Sequence, residues 1–445
     1  MSRQLFGTDG VRGRVGEFLT AGLAVALSHA TVELCDAPHP RVLIVRDTRE
    51  SGEMLEAAVA AGVTAAGGEV LLGGILPTPA APLLVRRHGL QLAVVISASH
   101  NPYEDNGIKF FAADGFKLSD ETESAIERRM AGPGPRPDRV GHVTELAQAH
   151  DDYLDALGDR FAGLDLSGTR VLLDCAHGAT FQVAPEIFRR LGADVEVMAD
   201  APDGRNINAG VGSTHIDALV AAMASGGHDV GFAFDGDGDR VLAVDRNGHV
   251  IDGDELIALA AVHYQRAGCL DGGGVAVTVM TNYGFHTAMA EAGIAVATTA
   301  VGDRYVNEAL RARGWRLGGE QSGHIIDLGF GPSGDGIASA LLTLEALGGA
   351  DPAERHAMRK LPQRLVNLRA PSREALVAAM ERDAVQRAMA SADASLLGRG
   401  RVLVRASGTE PLIRVMVEAP SPEETDAVLS DLCRVVEAAL AEVGT

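Results

Sequence analysis

Lysine is scarce in this 445-residue chain: Lys109, Lys117 and Lys360 are the only three, and almost all positive charge is arginine. Basic residues number 39 against 60 acidic ones, a formal charge of -21. This argues against a nucleic-acid binder, which needs a basic face to displace counterions, and it disfavours an anionic membrane surface. No apolar run reaches the roughly 18 residues of a membrane span without meeting glycine, proline or charge. The N-terminal Met1-Ser2-Arg3-Gln4-Leu5-Phe6-Gly7 lacks the apolar core of a secretory signal. Cysteine is also sparse. Cys35, Cys175, Cys269 and Cys433 form no CxxC pair and have no histidine in zinc-ligand spacing, so reduced thiols are expected. These absences together lead to the expectation of a cytoplasmic protein with neither nucleic acid nor membrane as partner.

What is present is hydrophobic residue content of 46%, spread over a length too great for one core. Short β-branched runs alternate with Ala/Leu-rich stretches, the pattern of sheets covered by helices, so the fold class is α/β. Runs at 41–46 (RVLIVR), 169–173 (TRVLL) and 274–279 (GVAVTV) each open a segment and end in a polar loop. Further along each segment comes a second junction: AVVI into Ser97-Ala98-Ser99-His100-Asn101-Pro102, VGFAF into Asp235-Gly236-Asp237-Gly238-Asp239, and WRL into Gly319-Glu320-Gln321-Ser322-Gly323-His324. This is a threefold internal repeat. Ligands collect beyond the carboxyl ends of strands in such sheets.

The irregular stretch 131–138 (AGPGPRPD) precedes an expected helix over 145–157 and places the first boundary near residue 155. Asn247-Gly248 marks either the second boundary or a hairpin inside a domain. After 360–362 the pattern becomes that of a smaller α+β domain. The expected division is 1–155, 156–252, 253–365 and 366–445.

Asp235, Asp237 and Asp239 alternate with glycine, so an extended segment turns all three carboxylates to one side. A hard divalent cation is their natural occupant. Mg²⁺ keeps a position for a phosphoryl oxygen, whereas a calcium EF-hand would need Gly where Arg240 stands and Glu where Arg246 stands. An acidic surface turn is the poorer reading, because three close carboxylates repel without a cation. Ser99 is either a turn former or a carrier of a phosphoryl group; its surroundings are not the GxSxG of an esterase, and no lysine follows a glycine as in a P-loop. Arg405-Ala406-Ser407-Gly408-Thr409-Glu410 with Arg414 has the donors of a phosphate cradle, although arginines at strand ends also serve as ion-pair partners.

In order along the chain, the segments 7–13 (GTDGVRG), 97–102 (SASHNP), 106–110 (NGIKF), 235–240 (DGDGDR), 319–324 (GEQSGH) and 405–411 (RASGTEP) resemble the α-D-phosphohexomutase superfamily. Within it, GTDGVRG, VGDRYV at 301–306 and Gln321 are similar to the bacterial branch acting on glucosamine phosphates. The resemblance implies three similar α/β domains with mixed sheets, plus a smaller C-terminal α+β domain around a central cleft. It implies that Ser99 is a phosphoserine and, with Asp235, Asp237 and Asp239, holds one Mg²⁺. Lys109, Arg12, His324 and His100 are the implied catalytic residues. Arg240, Gly302, Asp303, Glu320, Ser322, Arg405, Ser407, Gly408, Thr409 and Arg414 are the implied substrate ligands. The expected ligand is a small phosphosugar, with glucosamine 1,6-bisphosphate as intermediate or activator. An activating kinase or bisphosphate donor is a further expected partner, and a homodimer is compatible. A mutase acting on mannose or glucose phosphates, a non-catalytic sugar-phosphate binder and a metal-dependent phosphatase are the competing readings.

Overall fold

The structure is a computed structural model describing residues 5–7, 9–132, 137–406 and 411–443. The chain divides into a larger unit, Met1–Val279 with Ala295–Arg355, and a smaller one, Met280–Ile294 with His356–Thr445.

In the larger unit one strand arrangement recurs three times. The first sheet holds β1 Val11–Arg14, β2 Arg41–Arg46, β3 Glu69–Ile75, β4 Leu92–Ile96, β5 Asp105–Ala112 and β6 Val143–Glu145, in the order β1-β5-β4-β2-β3-β6. The second holds β7 Arg170–Asp174, β8 Asp194–Met198, β9 Val230–Phe234, β10 Val241–Asp245 and β11 Val250–Ile251, in the order β11-β10-β9-β7-β8. The third holds β12 Gly274–Thr278, β13 Ala295–Thr299, β14 Leu317–Gly319 and β15 Ile325–Asp327, in the order β13-β12-β14-β15. In each, a first strand lies parallel between a second and a third, and a fourth returns antiparallel against the third. The loops joining third to fourth strands are 97–104, 235–240 and 320–324, the polar loops singled out in the sequence.

Why these runs are strands is plain from their burial. β4, β9 and β12 are buried at every residue, as expected of central strands covered on both faces. Asn247-Gly248 proves to be a hairpin inside the second repeat, joining antiparallel β10 and β11 with Gly248 at φ 81. The helix expected over 145–157 runs instead over Ala149–Arg160, because Val143–Glu145 pairs with β3 as an edge strand. The strand expected at 315–317 begins only at Leu317. Trp315 lies over Gly272 and Gly274, where an added Cβ would stand 2.3 and 2.4 Å from its ring.

The smaller unit is an antiparallel sheet of β16 Gln363–Arg369, β17 Arg401–Ala406 and β18 Leu412–Glu418, in the order β16-β18-β17. The helices Arg373–Met380, Asp383–Leu396 and Pro422–Val443 pack their apolar faces with Ile413, Val415 and Val417 of the sheet. This is the expected α+β domain. The helix Tyr283–Glu291 also clusters here, although it lies between β12 and β13 in sequence. Asn282 Oδ1 accepts the Leu361 amide at 2.9 Å, and the Tyr283 amide donates to Glu418 Oε2 at 2.7 Å.

Candidate active site

The three third-to-fourth-strand loops of the larger unit meet, and Ser99 is where the first joins the second. It sits just past β4 at φ 53, a left-handed conformation unusual for a residue with a side chain. Its hydroxyl donates to Asp235 Oδ2 at 2.6 Å and lies 3.2 Å from His100 Nδ1. Ser99, Asp235, Asp237 and Asp239 are all buried.

Glycine at 238, with φ 70, lets the second loop curl, and the three carboxylates each offer an oxygen within 4.8 Å of the others. Asp237 Oδ1 and Asp239 Oδ1 are buried without hydrogen-bond partners. Orphaned buried oxygens on converging carboxylates are what a hard cation satisfies, so this donor set fits Mg²⁺. Burial disfavours ionisation at all three. At Asp237 burial and the charge of Asp239 push the carboxyl up, but Lys109 and the Thr78 hydrogen bond together hold it below its usual range; at Asp239, His324 and Lys109 push it well below. Asp235 is left well above, by burial and by the negative charge of Asp239 and Asp237.

Lys109, on β5, reaches Asp237 Oδ2 at 2.8 Å, Asp9 Oδ2 at 3.0 Å and Asp239 Oδ2 at 3.8 Å. Arg12, opposite Gly107 on β1, pairs with Asp9 and points Nη1 at the Ala98 carbonyl, 3.5 Å away. Arg240 donates its amide to Asp235 Oδ1 at 3.2 Å, and its Nε is 3.8 Å from Asp239 Oδ1. Burial, then Arg240 and Arg12, push the His100 imidazole down to about 4. His100 is therefore neutral near pH 7.

From the third repeat, His324 Nδ1 stands 3.5 Å from Asp239 Oδ1 and its Nε2 3.8 Å from Asp303 Oδ2. Burial pulls its pKa down, but Asp239 and Asp303 prevail and raise it. Glu320 Oε1 accepts the Gly302 amide at 2.9 Å, tying the 301–306 segment to the sugar loop. Ser322 is exposed, whereas Gln321 turns its amide to Asp252 Oδ2 at 3.3 Å, at the cap of helix Gly253–Ala267.

Several residues of this site were not singled out from sequence. Lys117 bridges Asp9 and Asp303, the latter at 2.5 Å, and closes a ring of alternating acidic and basic side chains through Asp9, Lys109, Asp239, His324 and Asp303. Thr78 donates to Asp237 Oδ2 at 2.6 Å. Asp47, Arg49, Ser97 and Asn208 surround the backbone of Ser99. Asp9 lay within a quoted motif and Asp47-Thr48-Arg49 within a polar strand-end loop; Thr78 and Asn208 carried no local signal.

In the smaller unit Arg405 and Arg414 stand directly opposite each other on β17 and β18. Among the described residues neither has a carboxylate within ion-pair distance, so two like charges share one face, an arrangement that an anion would stabilise. Ser407, Gly408 and Thr409 lie outside the described residues.

Comparison with known proteins identifies the family. Models of the phosphoglucomutase/phosphomannomutase alpha/beta/alpha domains I, II and III match residues 3–134, 151–248 and 252–365, and that of the C-terminal domain matches 365–435. The chain is 50% identical over 442 residues to a phosphoglucosamine mutase of Moorella thermoacetica, covering 97% of this chain and 99% of the relative. It is 47% identical over 447 residues to one from Deinococcus deserti, covering 98% of each. Among solved structures, a phosphoglucomutase/phosphomannomutase family protein of Burkholderia thailandensis superposes with TM-score 0.82 at 23% identity, covering 99% of this chain and 98% of that one. An N-acetylphosphoglucosamine mutase of Aspergillus fumigatus, in complex with GlcNAc-6P and magnesium, gives TM-score 0.68 at 20% identity, covering 98% and 96%. These likenesses establish the fold; the family models and the sequence relatives go further, and the chain belongs to the phosphoglucomutase/phosphomannomutase family of α-D-phosphohexomutases.

Proposed function

We propose that the protein is an isomerase interconverting glucosamine 6-phosphate and glucosamine 1-phosphate through phosphorylated Ser99 and a glucosamine 1,6-bisphosphate intermediate. The observation that carries this reading is the Ser99 hydroxyl 2.6 Å from Asp235, on the edge of a buried three-carboxylate cluster. The choice of glucosamine rests on the names of relatives at 47 to 50% identity.

In the forward direction the sugar 1-hydroxyl attacks the phosphorus of phosphoserine 99. A new P–O bond forms at C1, the bond to Ser99 Oγ breaks, and Oγ recovers a proton. Lys109, Arg12 and His324 are the candidates for moving that proton, with His100, 3.2 Å from Oγ, as a fourth. After the bisphosphate reorients, its 6-phosphate returns to Ser99 and glucosamine 1-phosphate leaves. Mg²⁺ held by Asp235, Asp237, Asp239 and the phosphoserine would neutralise charge on the transferring group. Arg240 adds a fixed positive charge beside Ser99. Gly302, Asp303, Glu320 and Ser322 bind the sugar, while Arg405, Ser407, Gly408, Thr409 and Arg414 grip the phosphate that is not reacting.

A kinase or a bisphosphate donor supplies the first phosphoryl group. No helix among the described residues is long and apolar enough to cross a membrane, and no cysteine among them is in a disulfide, which supports action in the cytoplasm. Intact mass before and after glucosamine 1,6-bisphosphate, with peptide mapping, tests the reading: one phosphate on Ser99 is expected, and none refutes it. Faster turnover of glucose or mannose 6-phosphate than of glucosamine 6-phosphate would move the assignment to a neutral-sugar mutase.

A further inference from the structure

We propose that the buried Asp47–Arg49 pair and the Asn208 amide are positioning residues that hold the Ser99 peptide left-handed. They thereby set the rate of phosphoryl transfer without contributing to sugar-phosphate binding. The inference rests on Ser99 being the phosphoryl carrier.

A serine at φ 53 is in a strained conformation, which persists only where its surroundings over-determine it. Both polar groups of this residue's backbone are tied to the same buried ion pair. The Ser99 amide donates to Ser97 Oγ at 2.9 Å, and that hydroxyl donates to Asp47 Oδ2 at 2.6 Å. The Ser99 carbonyl accepts Arg49 Nη2 at 2.9 Å, while Arg49 Nε returns to Asp47 Oδ2, also at 2.9 Å. The same Nη2 also donates to the Asn101 carbonyl at 2.8 Å, and Nη1 donates to that of Pro102. Arg49 and Asp47 are each 1% exposed, so water does not share this work. Lysine could not replace the fork, since its three donors radiate from a single atom.

The second repeat closes the clamp. Asn208 Nδ2 donates to the Ser99 carbonyl at 2.9 Å and to that of Asn101 at 3.2 Å. Gly236, inside the metal loop, lies so close that an added Cβ would stand 2.7 Å from both Ser99 O and Asn208 Nδ2. The conformation of Ser99 is thus set from two repeats, and with it the direction of Oγ toward Asp235. Transfer of a phosphoryl group needs its attacking and leaving oxygens in line, and a misplacement of about 1 Å can cost on the order of 100-fold. None of these three residues is among the proposed sugar or phosphate ligands, so their loss falls on kcat rather than KM.

The test uses the full-length enzyme and three variants. Asn208 has φ 59, so Asn208→Gly keeps its backbone at ease while removing the side chain that carries the amide. We expect kcat lower by about tenfold or more, with KM within about twofold and an unaltered far-UV spectrum. Arg49→Lys should lose more, and Arg49→Ala should regain part of its activity with free guanidinium ion. Wild-type kcat in both Asn208→Gly and Arg49→Lys overturns the inference, as does a rise in KM at unchanged kcat. Absence of phosphate on Ser99 in the active wild-type enzyme would instead refute the functional reading, and the two failures are distinguished by that control.

Discussion

The ammonium of Lys109 stands 2.8 Å from Asp237 Oδ2, both side chains almost wholly buried. A cation belonging to the protein therefore shares a carboxylate with the position a divalent ion would take. Lys109→Met removes that competing charge. It should tighten Mg²⁺ binding in a calorimetric titration while lowering turnover by about 100-fold or more, about 100-fold being the lower end of the range for loss of a proton-transfer group. Weaker Mg²⁺ binding in the variant would refute this account of the lysine.

Without a metal, the triad is a source of instability. Asp235 is held well above the usual carboxylate range by burial and by its two neighbours. Its folded state favours the proton, so ionisation at neutral pH works against folding. Asp235→Asn in chelator should raise the thermal midpoint by about 2 °C or more. The same variant should lose the stabilisation that Mg²⁺ confers on the wild type. Scanning calorimetry with and without Mg²⁺ measures both.

Asp335 offers a pH test remote from the metal ligands. Burial pushes its carboxyl up to about 6, while Oδ1 caps helix Gly336–Leu347 by accepting the Ala338 amide and Oδ2 accepts the Tyr153 hydroxyl, each at 2.9 Å. Because the folded pKa exceeds the unfolded one, the folded protein binds more protons between about pH 4 and 6, and stability falls as pH rises through that window, by up to roughly 3 kcal/mol. Asn at this position can cap the helix and meet the tyrosine without ionising. Denaturant midpoints of Asp335→Asn from pH 4.5 to 6.5 should show this slope removed; an unchanged slope would assign it to other groups.

Arg405 and Arg414 should show binding traded against stability. Arg414→Gln relieves a like-charge pair directly across β17 and β18, so the smaller unit should gain a few tenths to about 1 kcal/mol. Sugar-phosphate binding should weaken by about tenfold or more, the loss of one charge-assisted contact. A variant less stable than the wild type, with unaltered KM, would show that the two arginines serve the fold rather than a phosphate.

Much of this organisation is local in origin and so was legible along the chain. Strands such as β2, β9 and β12 are short runs rich in branched or aromatic residues, set off by Pro40 and Asp47, by Asp229 and Asp235, and by Gly273, and their burial follows from that pattern. The alternation of aspartate with glycine at 235–239 carries its own chelating geometry, so the metal loop could be read without knowing what surrounds it. The edge strand Val143–Glu145 could not, because it exists only through pairing with β3.

What stayed hidden arises from distance along the chain. Asn208 reaches Ser99 across 109 positions, and Lys117 reaches Asp303 across 186. In sequence, a buried asparagine or lysine looks like any solvated one, since its partner is chosen by how separate sheets pack and not by its neighbours. Periodicity and loop composition thus specify three strand patterns and the reactive groups each carries. The packing of those patterns against one another decides which polar groups lose water and must find each other, and from that come the left-handed serine, the closed charge ring and the differing proton affinities of three chemically identical aspartates.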